Sequence, residues 1–541
     1  MRRRLPAISA CLALSRLMVV ASTAHAQSGG WRTDERVLIT DFGIVTSLAR
    51  SPSSVFAATT GGLIVVDESF GGIELPITVE DGYPALPTTA MTYDDRDRSL
   101  WLAAGSELIQ FDTFRRRFRD RIGVRQPVTG LVPAESSNTD LFVRIGAEWW
   151  RLDTFGRGVR RADPASVRAA LDSRSDLRAR EEALLDPFFL EAARQAARPS
   201  YGGAVRILDL VPTRDSHEWW LGTAGSFLIR YDDISRVGKR SPVGPAGAGM
   251  AAVLAGGDAV WFAPERPLEG RYGIAAASSD LRQWRVWRAD SSRAVPDRVA
   301  DLVGVAGGTW AGGESGLYWM PDGGAEWRQE RAVDLSYQPV FCLAPASGAG
   351  PESVWIGTAR GLIRVPAVGA GLDVSVLRSV PVRSVVEAGG SVWIGTDQGL
   401  YVMSVPDSVG QLDGGRAEGP TALGLPVGAL AASGDTVYAG LDAEVWWKAG
   451  DAAPWVRLEP FGKGRAKISA LAIRDGVLWV GSSAELTVLE TDGGLLERFS
   501  FGPDLPPGPR GETGISDISI SAAFEGWVAL PAGAMRLEVR H

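Results

Sequence analysis

The chain has 541 residues, 45% of them hydrophobic, with a formal net charge of −8 and only two cysteines. That length exceeds one compact core and calls for two or more domains. The acidic balance argues against nucleic acid, whose phosphates need clustered cations, and against electrostatic adhesion to an anionic lipid surface.

The first predicted element is a signal peptide over residues 1–26. Arg2, Arg3 and Arg4 form a basic start, Leu5 to Val20 is mostly apolar, and Ala24-His25-Ala26 reads as a cleavage site. Cleavage removes four arginines and no acids, leaving a mature charge of −12. No second apolar run is long enough to span a membrane. Cys342 is then the only cysteine, set in Val340-Phe341-Cys342-Leu343 as a buried strand residue, so no intrachain disulfide is possible. These features place the protein in the periplasm, in the medium or at the cell surface.

After the strand Arg36-Val37-Leu38-Ile39-Thr40 a repeat organises the rest of the chain. Its anchors are Phe56, Trp101, Phe142, Trp220, Trp261, Trp310, Trp355, Trp393, Tyr438, Trp479 and Trp527. Successive anchors lie 38 to 49 residues apart, except for one gap of 78 that holds an insert. A period in the forties is that of a four-stranded propeller blade. The clean copies are Val354-Trp355-Ile356-Gly357-Thr358, leading to Gly361-Leu362, and Val392-Trp393-Ile394-Gly395-Thr396, leading to Gly399-Leu400. β-branched and aromatic residues suit a pleated, half-buried surface, and glycine after a short polar turn permits a tight hairpin.

Between the third and fourth blades lies a helical insert, residues 163–200. Asp163-Pro164 and Asp186-Pro187 each place an N-cap before a proline at the first helical position. They predict helices over 164–184 and 187–198, with Ala170, Leu177 and Leu184 as a packing seam. The fold class is therefore an all-β propeller protein of about eleven four-stranded blades. Eleven blades exceed a usual ring, so two rings are expected, five plus six: residues 27–290 and 291–541. In that arrangement Arg36–Thr40 completes blade five, and Gln283-Trp284-Arg285-Val286-Trp287 completes blade eleven.

The string Val-Trp-Ile-Gly-Thr-x-x-Gly-Leu, at 354–362 and 392–400, resembles the two-component-regulator propeller repeat family. Leu221-Gly222-Thr223 and Trp310 to Leu317 are looser copies. The resemblance implies an extracytoplasmic sensing propeller, often one that recognises glycans. This chain departs from the family plan in lacking a following transmembrane helix, a kinase region and a terminal immunoglobulin-like module. The opening, Trp31 through Thr59-Thr60-Gly61-Gly62-Leu63, also resembles the double-propeller envelope protein of the type IX secretion machinery, though without that family's C-terminal domain.

Catalytic chemistry finds little support. The mature chain holds two histidines, His217 in a polar turn and His541 at the end, so three-histidine and common Cys/His zinc sites are impossible. No nucleophile elbow or phosphate-binding loop is present. Asp322-x-Gly324-x-x-Trp327 is a partial Asp-box, a structural turn. Arg115-Arg116-Arg117 reads as a solvated hairpin, and the pairs Trp149-Trp150, Trp219-Trp220 and Trp446-Trp447 as strand aromatics sent to opposite faces. No catalytic residue, metal ligand or cofactor is assigned. Ligand contacts are expected from the motif turns, at Glu314, Arg360, Asp397 and Gln398, because turns on a rigid scaffold concentrate recognition. The expected function is non-catalytic binding of a glycan or peptide. The alternative is an interaction scaffold for an envelope protein or the secretion machinery, and a propeller hydrolase or lyase ranks below both.

Overall fold

The computed structural model describes residues 36–539 except 70, 135–139, 155–157, 199–204, 216, 246, 268–271, 289–297, 332, 334, 336–337, 348–349, 372–373, 378, 406–414, 417–424, 451 and 459–465. The predicted signal peptide and His541 lie outside the described residues. Among those residues eleven antiparallel sheets follow one another, ten of four strands and one of three. The three-stranded sheet is blade one, where the bridges Leu63 to Ile77 and Val66 to Ile73 stand in for an outer strand. Each sheet carries its anchor aromatic in its second strand, as in Gly308–Gly313, Val354–Thr358 and Ser391–Thr396. The protein is a β-propeller.

The motif residues join blades as well as forming them. The indole N–H of Trp310 donates to the Glu352 carbonyl of the next blade, at 2.9 Å, and that of Trp355 donates to the Glu387 carboxylate. The motif glycine leaves room for the next blade. A Cβ on Gly395 would lie 2.7 Å from the Val427 carbonyl oxygen and 3.0 Å from its Cγ1. Threonine then latches the hairpin. The Thr358 hydroxyl donates to the Gly361 carbonyl at 2.9 Å and accepts the Arg360 N–H at 3.1 Å; Thr396 repeats the arrangement with Gly399 and Gln398. Gly361 and Gly399 have φ of 124° and 123°, a region that favours glycine.

The inner strands show how the rings close, and the division differs from the expected five plus six. Val45–Arg50 of blade one packs against Ile207–Pro212 of blade four. There the Leu48 N–H donates to the Asp209 carboxylate at 2.7 Å. Gly247–Gly256 of blade five packs against Val299–Val305 on one side and Asp517–Ala522 of blade eleven on the other. Val253 N–H donates to Asp517 at 2.9 Å and Ala255 N–H to Ser519 Oγ at 2.8 Å. Blades five to eleven therefore make a ring of seven, ring two. Blades one to four make ring one, whose inner strands touch in the order three, two, one, four, with the helical insert between blades three and four. The chain passes between the two near residues 242–245 rather than 290.

Two strand assignments change with it. Arg36–Ile39 pairs with Gly533–Glu538, so the N-terminal strand completes blade eleven, with Leu38 opposite Met535. Trp284–Arg288 pairs with Tyr272–Ser278 and completes blade five. A short hairpin makes the second pairing local. The first spans nearly the whole chain and places ring one as an insertion between two elements of ring two. Phe42 and Val243, on the two crossings, are buried in one apolar cluster that includes Val45 and Leu48 of ring one and Met250 and Phe262 of ring two.

The insert holds three helices rather than two: α1 (Pro164–Ser173), α2 (Ser175–Leu185) and α3 (Pro187–Ala197). Both predicted caps form, Asp163 accepting from Ser166 N–H and Asp186 from Phe188 and Phe189 N–H. The extra break falls at Arg174, which turns extended while its guanidinium donates to the Tyr93 carbonyl of blade two at 2.9 Å. α1 packs on Val128–Pro133 of blade three and α2 on Ile207–Pro212 of blade four. Arg180 of α2 lies 2.6 Å from Asp209, supplying a countercharge to that closing carboxylate. Of the expected seam, Ala170 and Leu177 pack against blade three, whereas Leu184 is exposed. Trp219 and Trp220 are both buried, because α3 covers the outer face of blade four and Phe189 meets Trp219 with ring centroids 5.0 Å apart.

Candidate ligand-binding face of the second ring

In most blades the inner strand carries, at or near its start, one short pattern: an apolar residue, a variable one, a small residue or aspartate, then another apolar one. Examples are Val299-Ala300-Asp301-Leu302, Val340-Phe341-Cys342-Leu343, Val382-Arg383-Ser384-Val385 and Ile468-Ser469-Ala470-Leu471. Across these blades the ladder to the second strand shifts register after the first of the four. Such an irregularity re-aims the side chains beside it. The variable residue stands at the same end of its blade as the hairpin that follows the anchor. Inner-strand starts and motif turns therefore share one face of ring two.

The four predicted residues all lie on that face, exposed, in blades six, seven and eight. Glu314 pairs with Arg298 at 2.8 Å. Asp397 accepts two hydrogen bonds from Arg383 Nε and one from its Nη2, the shortest 2.7 Å. These bonds, helped by the charge of Lys467, hold the Asp397 carboxyl below its usual range. Arg383 also lies over the ring of Phe341 in blade seven, 4.5 Å from its centroid, a cation–π contact that fixes the guanidinium between two blades. Arg360 has no carboxylate partner among the described residues. Gln398 accepts from the Tyr401 hydroxyl at 3.4 Å.

Lys467 carries the face further round the ring. It precedes the inner strand of blade ten, and its Cε lies 4.0 Å from where a Cβ on Gly428 of blade nine would stand. It also lines a cavity of about 680 Å³ with Ser469, Thr513 and Ser516 of blades ten and eleven and with Arg266 and Arg510. None of the four predicted residues lines this cavity; the charge of Lys467 on Asp397 links it to the predicted turns. Arg383, Phe341 and Lys467 were findable, because they occupy the variable position, or the residue before the pattern, in a repeat visible upstream of each anchor.

Deeper in the same ring Asp301 and Asp517 sit at equivalent positions of blades six and eleven. Each accepts its neighbour's N–H and one from the next blade, Leu343 at 2.6 Å and Val253 at 2.9 Å. Desolvation raises both carboxyls well above their ordinary range, and repulsion from Asp517 raises Asp301 further. Their hydrogen bonds serve ring closure. Among the described residues no group of three or more His, Cys, Asp or Glu side chains is arranged to hold a metal ion.

No protein-family model and no curated protein matches the sequence. Among solved structures the chain is similar to PorZ, an essential surface component of the type-IX secretion system of Porphyromonas gingivalis. The identity is 12%, over 93% of this chain and 87% of that one, with a TM-score of 0.58. The likeness is one of fold. The extracellular domain of a candidate hybrid two component system from B. thetaiotaomicron aligns over 90% of this chain and 60% of its own, at 12% identity and a TM-score of 0.44. The WD40 propeller of Doa1 aligns over 54% and 93%, also at 12% identity, with a TM-score of 0.39. Both families that the sequence resembles are represented among these neighbours. Among the described residues no helix is long and apolar enough to cross a membrane.

Proposed function

We propose that the protein is an extracytoplasmic, non-catalytic propeller that binds a polar ligand, a glycan or a peptide, on the turn face of ring two. The observation that carries this reading is the presence on one face of the exposed Arg360, the Arg383–Asp397 pair, and Lys467, which acts on Asp397 and lines a cavity rimmed by charged and hydroxyl side chains. Both charge signs and several hydroxyls meet on a scaffold that cannot shift them, which suits recognition more than turnover. The comparison with PorZ, a surface component, supports a place outside the cytoplasm.

The test joins glycan-array binding to calorimetry on the variant Arg360→Glu/Asp397→Arg. The double reversal should weaken binding while the melting temperature holds, since exposed turn positions and exposed ion pairs contribute about 1 kcal/mol or less. Unchanged affinity would move the site off this face.

A second reading, an envelope interaction scaffold, has its own support. Leu184, Leu185 and Phe188 at the α2–α3 corner are 41%, 77% and 86% exposed, a cluster that favours protein contact. A pull-down from envelope extract, repeated with Leu185→Ser/Phe188→Ser, separates the two readings.

A further inference from the structure

Ten of the eleven anchor aromatics are buried between blades, with exposures of 5% or less. Trp261 of blade five is the exception, only half-buried. Trp261 borders a cavity of about 580 Å³. Its indole N–H has no hydrogen-bond partner among the described residues, unlike those of Trp310, Trp355 and Trp479.

Trp261 stacks on Trp287 with centroids 5.4 Å apart and planes 22° from parallel. Trp327, the last residue of the partial Asp-box, stands edge-on behind both, at 5.4 and 6.3 Å. Trp287 is fixed by its N–H bond to the Ala325 carbonyl, 2.9 Å. On either side of these indoles a turn presents an exposed carboxylate, Asp258 from blade five and Asp322 from blade six, and both line the cavity. Neither carboxylate has a partner among the described residues. Gln283 and Arg285 complete the polar rim, and Arg285 is tied by Nη1 to the Gly324 carbonyl at 3.3 Å.

We propose that this cleft binds an alkylammonium group, borne by a small quaternary ammonium or by a lysine side chain of a basic partner segment. Indole faces attract cations through their quadrupole. Two unpaired carboxylates outnumber the one guanidinium, in a chain whose net charge is already −8. An anion would meet that charge unfavourably, and an apolar ligand would strip water from carboxylates it cannot satisfy. The cleft lies on the face opposite the motif turns, since the hairpins that form it join first to second and third to fourth strands. The proposal is therefore independent of the reading above.

Calorimetry on the full chain tests it with tetramethylammonium chloride and N-acetyl-lysine methylamide. Neopentyl alcohol serves as the neutral analogue, cellotetraose as the neutral saccharide, and sodium chloride as the ionic-strength control. At least one ammonium probe should bind, and neopentyl alcohol about tenfold more weakly, as expected where charge on the π face matters. Tetramethylammonium alone points to a small-molecule source, the lysine amide to a protein side chain. Trp261→Leu and Asp258→Asn/Asp322→Asn should each weaken binding about tenfold, and Arg285→Ala should tighten it. If Trp261→Leu fails to fold, the aspartate pair decides, because both residues are exposed turn positions. Arg360→Glu/Asp397→Arg should leave ammonium binding unchanged. Equal binding of neopentyl alcohol, binding of cellotetraose instead, or no heat from either ammonium would overturn the proposal.

Discussion

Replacing Gly395 with alanine tests the claim that the motif glycine exists to admit the next blade. A Cβ at that position would lie 2.3 Å from Ser384 Oγ, 2.7 Å from the Val427 carbonyl oxygen and 3.0 Å from Val427 Cγ1. The first contact can yield by rotation of a hydroxyl that has no hydrogen-bond partner. The second cannot, because it is backbone of the neighbouring inner strand. Overpacking of this kind costs about 1–3 kcal/mol, and a fixed carbonyl puts Gly395→Ala toward the upper end. Gly72→Ala is the matched control, since nothing lies within 4 Å of its added Cβ and its φ is not in the left-handed region. That change should stay within about 0.5 kcal/mol. Urea unfolding of the two variants, with Ser384→Ala added to the first, reads the result as a double-mutant cycle. The added change should restore part of the loss but not all of it. Equal stability of Gly395→Ala and Gly72→Ala would refute the packing argument.

Other expectations follow from the same geometry. Asp301 and Asp517 bind protons more tightly folded than unfolded, so stability should fall as pH rises from about 4, the unfolded carboxyl pKa, toward neutrality. Thermal melts across that range should show the slope, and Asp301→Asn should flatten it. A chain beginning at residue 41 loses Val37, Leu38 and Ile39, all buried, and opens a new sheet edge along Gly533–Glu538. Its melting temperature should drop, and an unchanged one would mean the strand contributes nothing to closure. Arg180→Ala leaves the buried Asp209 carboxylate without its countercharge, a loss that costs about 3–5 kcal/mol for a buried pair. Because Arg180 is partly exposed, the measured value should fall below that range by denaturant midpoint.

Blades were legible in the sequence because one aromatic per sheet must fill the space between neighbours, and all eleven anchors stand in second strands. Ring closure was not. Trp220 and Trp261, on either side of the true boundary, are 41 residues apart, the same as two gaps within the rings. Only contacts between distant inner strands, such as Leu48 with Asp209, settle where a ring ends. The turns at Glu314, Arg360, Asp397 and Gln398 were legible as one face because the motif repeats. Arg383 and Lys467 stand at or just before the variable position of the same repeat, but that they act on Asp397 is set by packing and not by spacing. The break at Arg174 left no local signal either, arginine being a good helix former that here answers to a carbonyl in blade two.

The N-terminal strand gives this chain an order of assembly. Arg36 bonds to Asp504, 468 residues further on, and its strand waits for Gly533–Glu538 before it has an edge to join. A chain emerging from its N-terminus can finish ring one while the first strand of ring two still lies unpaired beside it. Blade five likewise has an open flank until blade eleven arrives. Blade eleven, last in the chain, is the one that joins both: it pairs with the first strand and packs its inner strand against blade five. Ring one spans the chain between those two elements, and because Phe42 and Val243 on its crossings share one apolar cluster, the strand that blade eleven pairs with stands beside the blade it packs against.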